Sequence, residues 1–71
     1  MGLAEKGKKV YDKIYPEIKN RAGQYVVIEV ESEDFFVSKD FITAYNYAKA
    51  RFPDKQFYFV QIGKDVGAEF K

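Results

Sequence analysis

The stretch Lys55-Gln56-Phe57-Tyr58-Phe59-Val60-Gln61-Ile62 constrains this chain more than any other. Its length and composition suit a β-strand, yet Phe57, Tyr58, Phe59 and Val60 are apolar on both parities. A strand with one solvent side alternates apolar with polar residues. Both faces of any sheet that contains this strand therefore need a cover: a helix of the same chain, a second copy, or a partner.

Two helices are predicted. In residues 3–21, Leu3, Gly7, Val10, Ile14 and Ile18 recur at helical spacing, and Tyr11 and Tyr15 widen the stripe. Pro16 falls on the polar side of that helix, and the stripe keeps its phase across it. The expectation is a kinked or two-piece helix, ended by Ala22-Gly23 with Gly23 as a left-handed cap. The second helix starts after Asp40, a good N-cap, and carries Phe41, Ala44, Tyr45, Ala48 and Phe52 on one stripe before Pro53 stops it. Between the helices, Tyr25-Val26-Val27-Ile28-Glu29-Val30 and Phe35-Phe36-Val37-Ser38 flank a polar turn and read as a hairpin over 24–38.

The order is thus α-β-β-α-β in a single domain spanning 1–71. It divides into an N-terminal amphipathic helix (1–22), a ββαβ core (23–62) and a loose tail (63–71). The fold class expected is α+β, a two-layer arrangement with a three-stranded mixed sheet packed against helices. The hairpin–helix–strand connection brings the last strand parallel to the second. The strand at 25–30, richest in β-branched residues, belongs in the centre. The second helix is expected on the face bearing Val26, Ile28 and Val30.

Several short blocks resemble a family of small prokaryotic domains of unknown function built on hairpin, helix and strand. Gly23-Gln24-Tyr25-Val26-Val27-Ile28 is similar to its opening Gly-Lys-aromatic-apolar block, with Gln24 in place of the basic residue. Asp40, Ala48 and Phe52-Pro53-Asp54-Lys55-Gln56-Phe57 resemble its capped helix and its aromatic-Pro-Gly-Lys-x-aromatic motif, with Asp54 in place of glycine. The resemblance covers residues 23–62 and extends loosely to antitoxins of the HicB kind. It implies action through other proteins and brings no established activity.

Chemistry narrows the field further. Among 71 residues there is no Cys and no His, which removes disulfides, Cys/His zinc sites, thiol catalysis and His general-base catalysis. Ser32 and Ser38 are the only serines and have no base to activate them, so the chain is not expected to be an enzyme and no cofactor or metal is implied. The acidic group Glu29, Glu31, Glu33 and Asp34 lacks the calcium-loop pattern and reads as a polar hairpin tip. No apolar run approaches the ~20 residues of a membrane span. The N-terminal residues lack a signal-peptide apolar region. A cytoplasmic protein with no membrane partner is expected.

Formal net charge is +1, distributed as about +3 over residues 1–22, −4 over 23–46 and +2 over 47–71. Lys55, Phe57, Phe59 and Val60 match part of the RNA-recognition signature, while Gln56, Tyr58 and Ile62 do not, and the strand follows its helix where that fold places it before. An acidic centre also repels phosphate. The expected role is therefore a non-enzymatic protein–protein interaction domain, self-associating or antitoxin-like. The alternative is single-stranded RNA or DNA binding through the aromatics. The candidate contact face is Tyr25, Val27, Phe57 and Phe59, joined by Tyr47, which falls off the stripe of its helix. Lys6, Lys9 and Lys13 form a basic side of the first helix.

Overall fold

The computed structural model describes residues 2–63 and 67–70, the last four by their backbone alone. Helix α1 (Leu3–Ile18) runs into a 3₁₀ turn (Lys19–Arg21). Strands β1 (Tyr25–Glu29) and β2 (Asp34–Ser38), helix α2 (Phe41–Arg51), and strands β3 (Phe57–Gln61) and β4 (Gly67–Phe70) follow. The sheet order is β2-β1-β3-β4 and every neighbouring pair is antiparallel. β1 is central, as its β-branched content requires. The expected mixed sheet is corrected, because β3 runs parallel to β2 but β1 lies between them, so no hydrogen-bonded pair is parallel. Within the segment read as a loose tail, residues 67–70 pair with β3 as a fourth strand. Residues 64–66 and 71 lie outside the described residues.

The two-layer expectation is also corrected, since the helices lie on opposite faces of the sheet. Val10, Ile14 and Ile18 of α1 join Val26, Ile28, Tyr58, Val60 and Ile62 in one buried cluster. Ala44 and Ala48 of α2 join Val27 and Phe57 in the other, with Phe36, Phe41, Tyr45, Phe52 and Phe59 packed against it. Helix α2 therefore covers the face of Val27, not that of Val26, Ile28 and Val30. The physical reason is the two-sided strand itself, which leaves apolar surface on both faces of one sheet. One helix layer removes only half of it from water.

Each helix is held differently. Asp40 caps α2 by accepting a bond from the Thr43 amide (2.9 Å) and from its hydroxyl. The amide bond first, then the hydroxyl, keeps the Asp40 carboxyl below its ordinary range. Helix α1 has Gly2 at its cap position with no side-chain bond, and no basic residue in its last turn. Pro16 does not divide it, for the proline sits on the exposed side and removes only the one N–H that would reach back a turn.

Packing, not capping, secures α1. Gly7 is buried against β3, and a Cβ built there would overlap the Tyr58 ring at its Cβ, Cγ and Cδ2. The helix therefore crosses the sheet closely at the one residue that has no side chain. The Tyr11 hydroxyl accepts a bond from the Gly63 amide (3.2 Å), tying the middle of α1 to the end of β3. Gly7→Ala should destabilise the protein by about 1–3 kcal/mol through overpacking, although Ala favours helix by about 1 kcal/mol. Urea denaturation measures this, and an unchanged or raised midpoint would mean that α1 does not rest on Tyr58.

Candidate interaction surface

The five candidate contact residues do not form one surface. Val27 and Phe57 are 0 % and 1 % exposed beneath α2. Tyr25 and Phe59 are half-buried at the margin of the same layer, where the Phe41 ring meets Phe59 (centroids 4.5 Å apart) and Tyr25 (6.4 Å). Tyr45 stacks on Phe41 (5.7 Å) and meets Phe57 edge-on (6.0 Å). These rings are bound to one another at favourable geometries, with Ala44 and Ala48 letting the helix approach. The open aromatic face is thus corrected to a core layer, and the platform on which bases would stack is covered by α2.

Tyr47 is 59 % exposed on a flank of α2, in line with its departure from the stripe. Among the described residues Ile42, 62 % exposed, is the other large apolar side chain that is exposed. The two lie five residues apart, about 140° around the helix. They are separate side chains and not a patch.

The basic side of α1 is exposed at Lys6, Lys9 and Lys13, but Lys13 donates to Glu33 (2.7 Å) at the hairpin tip. Lys55 likewise donates to Glu31 (2.7 Å), which raises its pKa. A cleft of about 380 Å³ opens where α1 begins, between the hairpin turn and the approach to β3, and is lined by Leu3, Lys6, Glu29, Glu31, Asp54 and Lys55 among others. Its charged groups are largely occupied by the turn. Glu29 is only 2 % exposed, and its two carboxylate oxygens accept from the amides of Glu31 and Ser32 (2.9 Å each). Burial pushes its pKa up, but those amides, the Ser32 hydroxyl and Lys55 together outweigh burial and hold it below the ordinary value of 4.5.

The sequence pattern assigns Glu29 to a polar hairpin tip. The signal that it is structural is its position, the last residue of β1 on the α2 face, followed by a turn whose first amides need an acceptor. Glu33 closes that turn with φ of 65°, a left-handed value unusual outside glycine. Among the described residues no group of three or more His, Cys, Asp or Glu could hold a metal ion, and no helix is long and apolar enough to cross a membrane.

The surface that sequence reading missed is an edge. The Ile62 amide donates to the Gln24 carbonyl (2.7 Å), so the backbone groups of Gln24, Val26 and Ile28 turn toward β3 and those of Tyr25, Val27 and Glu29 toward β2. Across the register, Asp34, Phe36 and Ser38 bond to β1. The amides and carbonyls of Phe35 and Val37 face outward from the sheet. The side chains here are half-buried: Phe35 and Val37 flank the α1 core and Phe36 flanks the α2 core, where it meets Phe52. Compared with protein-family models, curated proteins and solved structures, the chain matches none.

Two outcomes test this assignment of core and turn. Phe57→Ala should cost about 3–5 kcal/mol and Tyr47→Ala less than about 0.5 kcal/mol in dilute protein; equal costs would contradict the layer described. Glu29→Gln should cost about 1–3 kcal/mol at neutral pH, since an amide cannot accept at both positions. Because the folded pKa is depressed, the carboxylate's contribution is whole above pH 4.5 and is lost as pH falls through the folded value. The gap between wild type and variant in denaturant midpoints should therefore close in acid, and a gap independent of pH would sink the assignment.

Proposed function

We propose that this protein works by binding a polypeptide along β2, without catalysis. The observation that supports this reading is the outward-facing backbone of Phe35 and Val37 on an edge strand whose side chains are apolar toward both helix layers. An extended segment added there gains main-chain hydrogen bonds and lengthens both cores at once, which is how strand addition derives its affinity. Strand β2 contains no Pro, Lys or Arg, the residues that commonly blunt an exposed edge. Glu29, Glu31, Glu33, Lys13 and Lys55 are engaged in holding the hairpin turn, which leaves them poorly suited to acid–base work. An antitoxin-like role, with a toxin as the bound polypeptide, is one form of this activity and is supported by the resemblance of residues 23–62. A cytoplasmic setting agrees with the absence of cysteine.

Selection of random peptides displayed on phage tests the reading. Extended apolar peptides should be enriched on the wild-type protein and lost on Val37→Pro, which deletes an outward amide without removing a bond to β1. Val37→Thr, which keeps the amide and the branched shape, should retain them. No enrichment, or enrichment indifferent to Val37→Pro in a variant shown to be folded, would overturn it.

A further inference from the structure

We infer that the polypeptide seated on β2 is a second copy of the same chain, running antiparallel about a two-fold axis at Phe36; this rests on the strand-addition reading above. The outward groups of β2 are self-complementary. With Phe36 opposite Phe36 of the second copy, Phe35 of each chain faces Val37 of the other, and these are the two residues whose amides and carbonyls point outward. Each such pair exchanges two hydrogen bonds, while the two Phe36 side chains take the close, non-hydrogen-bonded position on the α2 side.

Charge selects this register over its neighbours. It sets Asp34 opposite Ser38 and, one step beyond, Glu33 opposite Lys39, with both contacts made twice by symmetry. Sliding by one residue pair in one direction sets Asp34 against Asp40, a like-charge opposition that is unfavourable. Sliding the other way sets Asp34 against Phe36 and Glu33 against Val37, burying acids beside apolar groups.

The helix layers permit the approach. Helix α1 lies over β1, β3 and β4, which leaves the α1 side of β2 uncovered next to Phe35 and Val37. Helix α2 lies over both β1 and β2. With strands about 4.8 Å apart, the two α2 axes would stand about 10 Å from one another, within the usual helix-packing distance. Phe41 and Tyr45 lean toward β3. On the helical wheel, Tyr47 therefore lies on the opposite flank of α2, the one toward β2, where its exposure becomes part of the joint. The result is one continuous sheet across two copies, with the two halves of each core brought together at the seam.

Light scattering from micromolar to millimolar concentration tests this. The wild-type mass should rise toward twice the 8.3 kDa of the monomer. Val37→Pro should weaken the dimer by at least about thirtyfold, from two lost hydrogen bonds and the clash of the ring. Lys39→Glu, an exposed change that spares the fold, should weaken it about tenfold, and Lys39→Gln should weaken it less. A dimer indifferent to Val37→Pro and Lys39→Glu would overturn the inference by assigning association to another surface. A monomer at millimolar concentration would overturn it too. If the monomer still captures displayed peptides in a manner abolished by Val37→Pro, strand addition survives with a different occupant. If it captures none, both fail.

Discussion

A strand that is apolar on both parities has no solvent side, and the placement of every other element follows from that. Phe57 and Phe59 face α2 while Tyr58 and Val60 face α1. The adjacent β1 repeats the arrangement with Val27 on one side and Val26 and Ile28 on the other. A single helix layer would leave several large side chains in water, at about 1.5–3 kcal/mol each. With no cysteine to form a disulfide, a chain of 71 residues has little margin for such a loss. The second helix is the remedy, and it makes three layers out of a chain short enough to have been built with two.

Much of this architecture is legible in the residues. The stripe of Val10, Ile14 and Ile18, the Asp40 cap, the stop at Pro53, the hairpin and the central position of β1 all follow from local pattern, and local pattern survives into the fold. Assignment of each helix to its face was not legible. Val26, Ile28 and Val30 on one parity and Tyr25 and Val27 on the other are nearly equal in apolar character, so the sequence carries no preference that periodicity can detect. The deciding contact is non-local: Gly7 accepts the Tyr58 ring, and Ala44 and Ala48 accept the other face. A small residue opposite a large one is a packing fact between elements distant in sequence.

The candidate site shows the same division. The aromatics attracted attention because rings are conspicuous in a sequence, but conspicuous rings are what a small core is made of. Tyr47 was found because exposure follows from helical phase. The edge position of β2 follows from the central place of β1, but which of its backbone groups point outward does not, because that depends on the hydrogen-bond phase of the β1–β2 ladder. The acidic hairpin tip was half right. Glu31 and Glu33 form exposed ion pairs, whereas Glu29 holds the turn from inside.

The unequal anchoring of the two helices has a consequence for how the molecule opens. Helix α2 is covalently bracketed by β2 and β3 and carries its own cap, so releasing it means parting two strands. Helix α1 begins at Gly2 without a side-chain cap, and its first turn sets Lys6 beside Glu5, so the helix dipole gains little there. Sub-global opening begins where local support is weakest. The amides of α1 should therefore exchange with solvent through a partial release that leaves the hairpin, α2 and β3 paired. In that opened form it is the Tyr58 face, and not the Phe57 face, that first meets water.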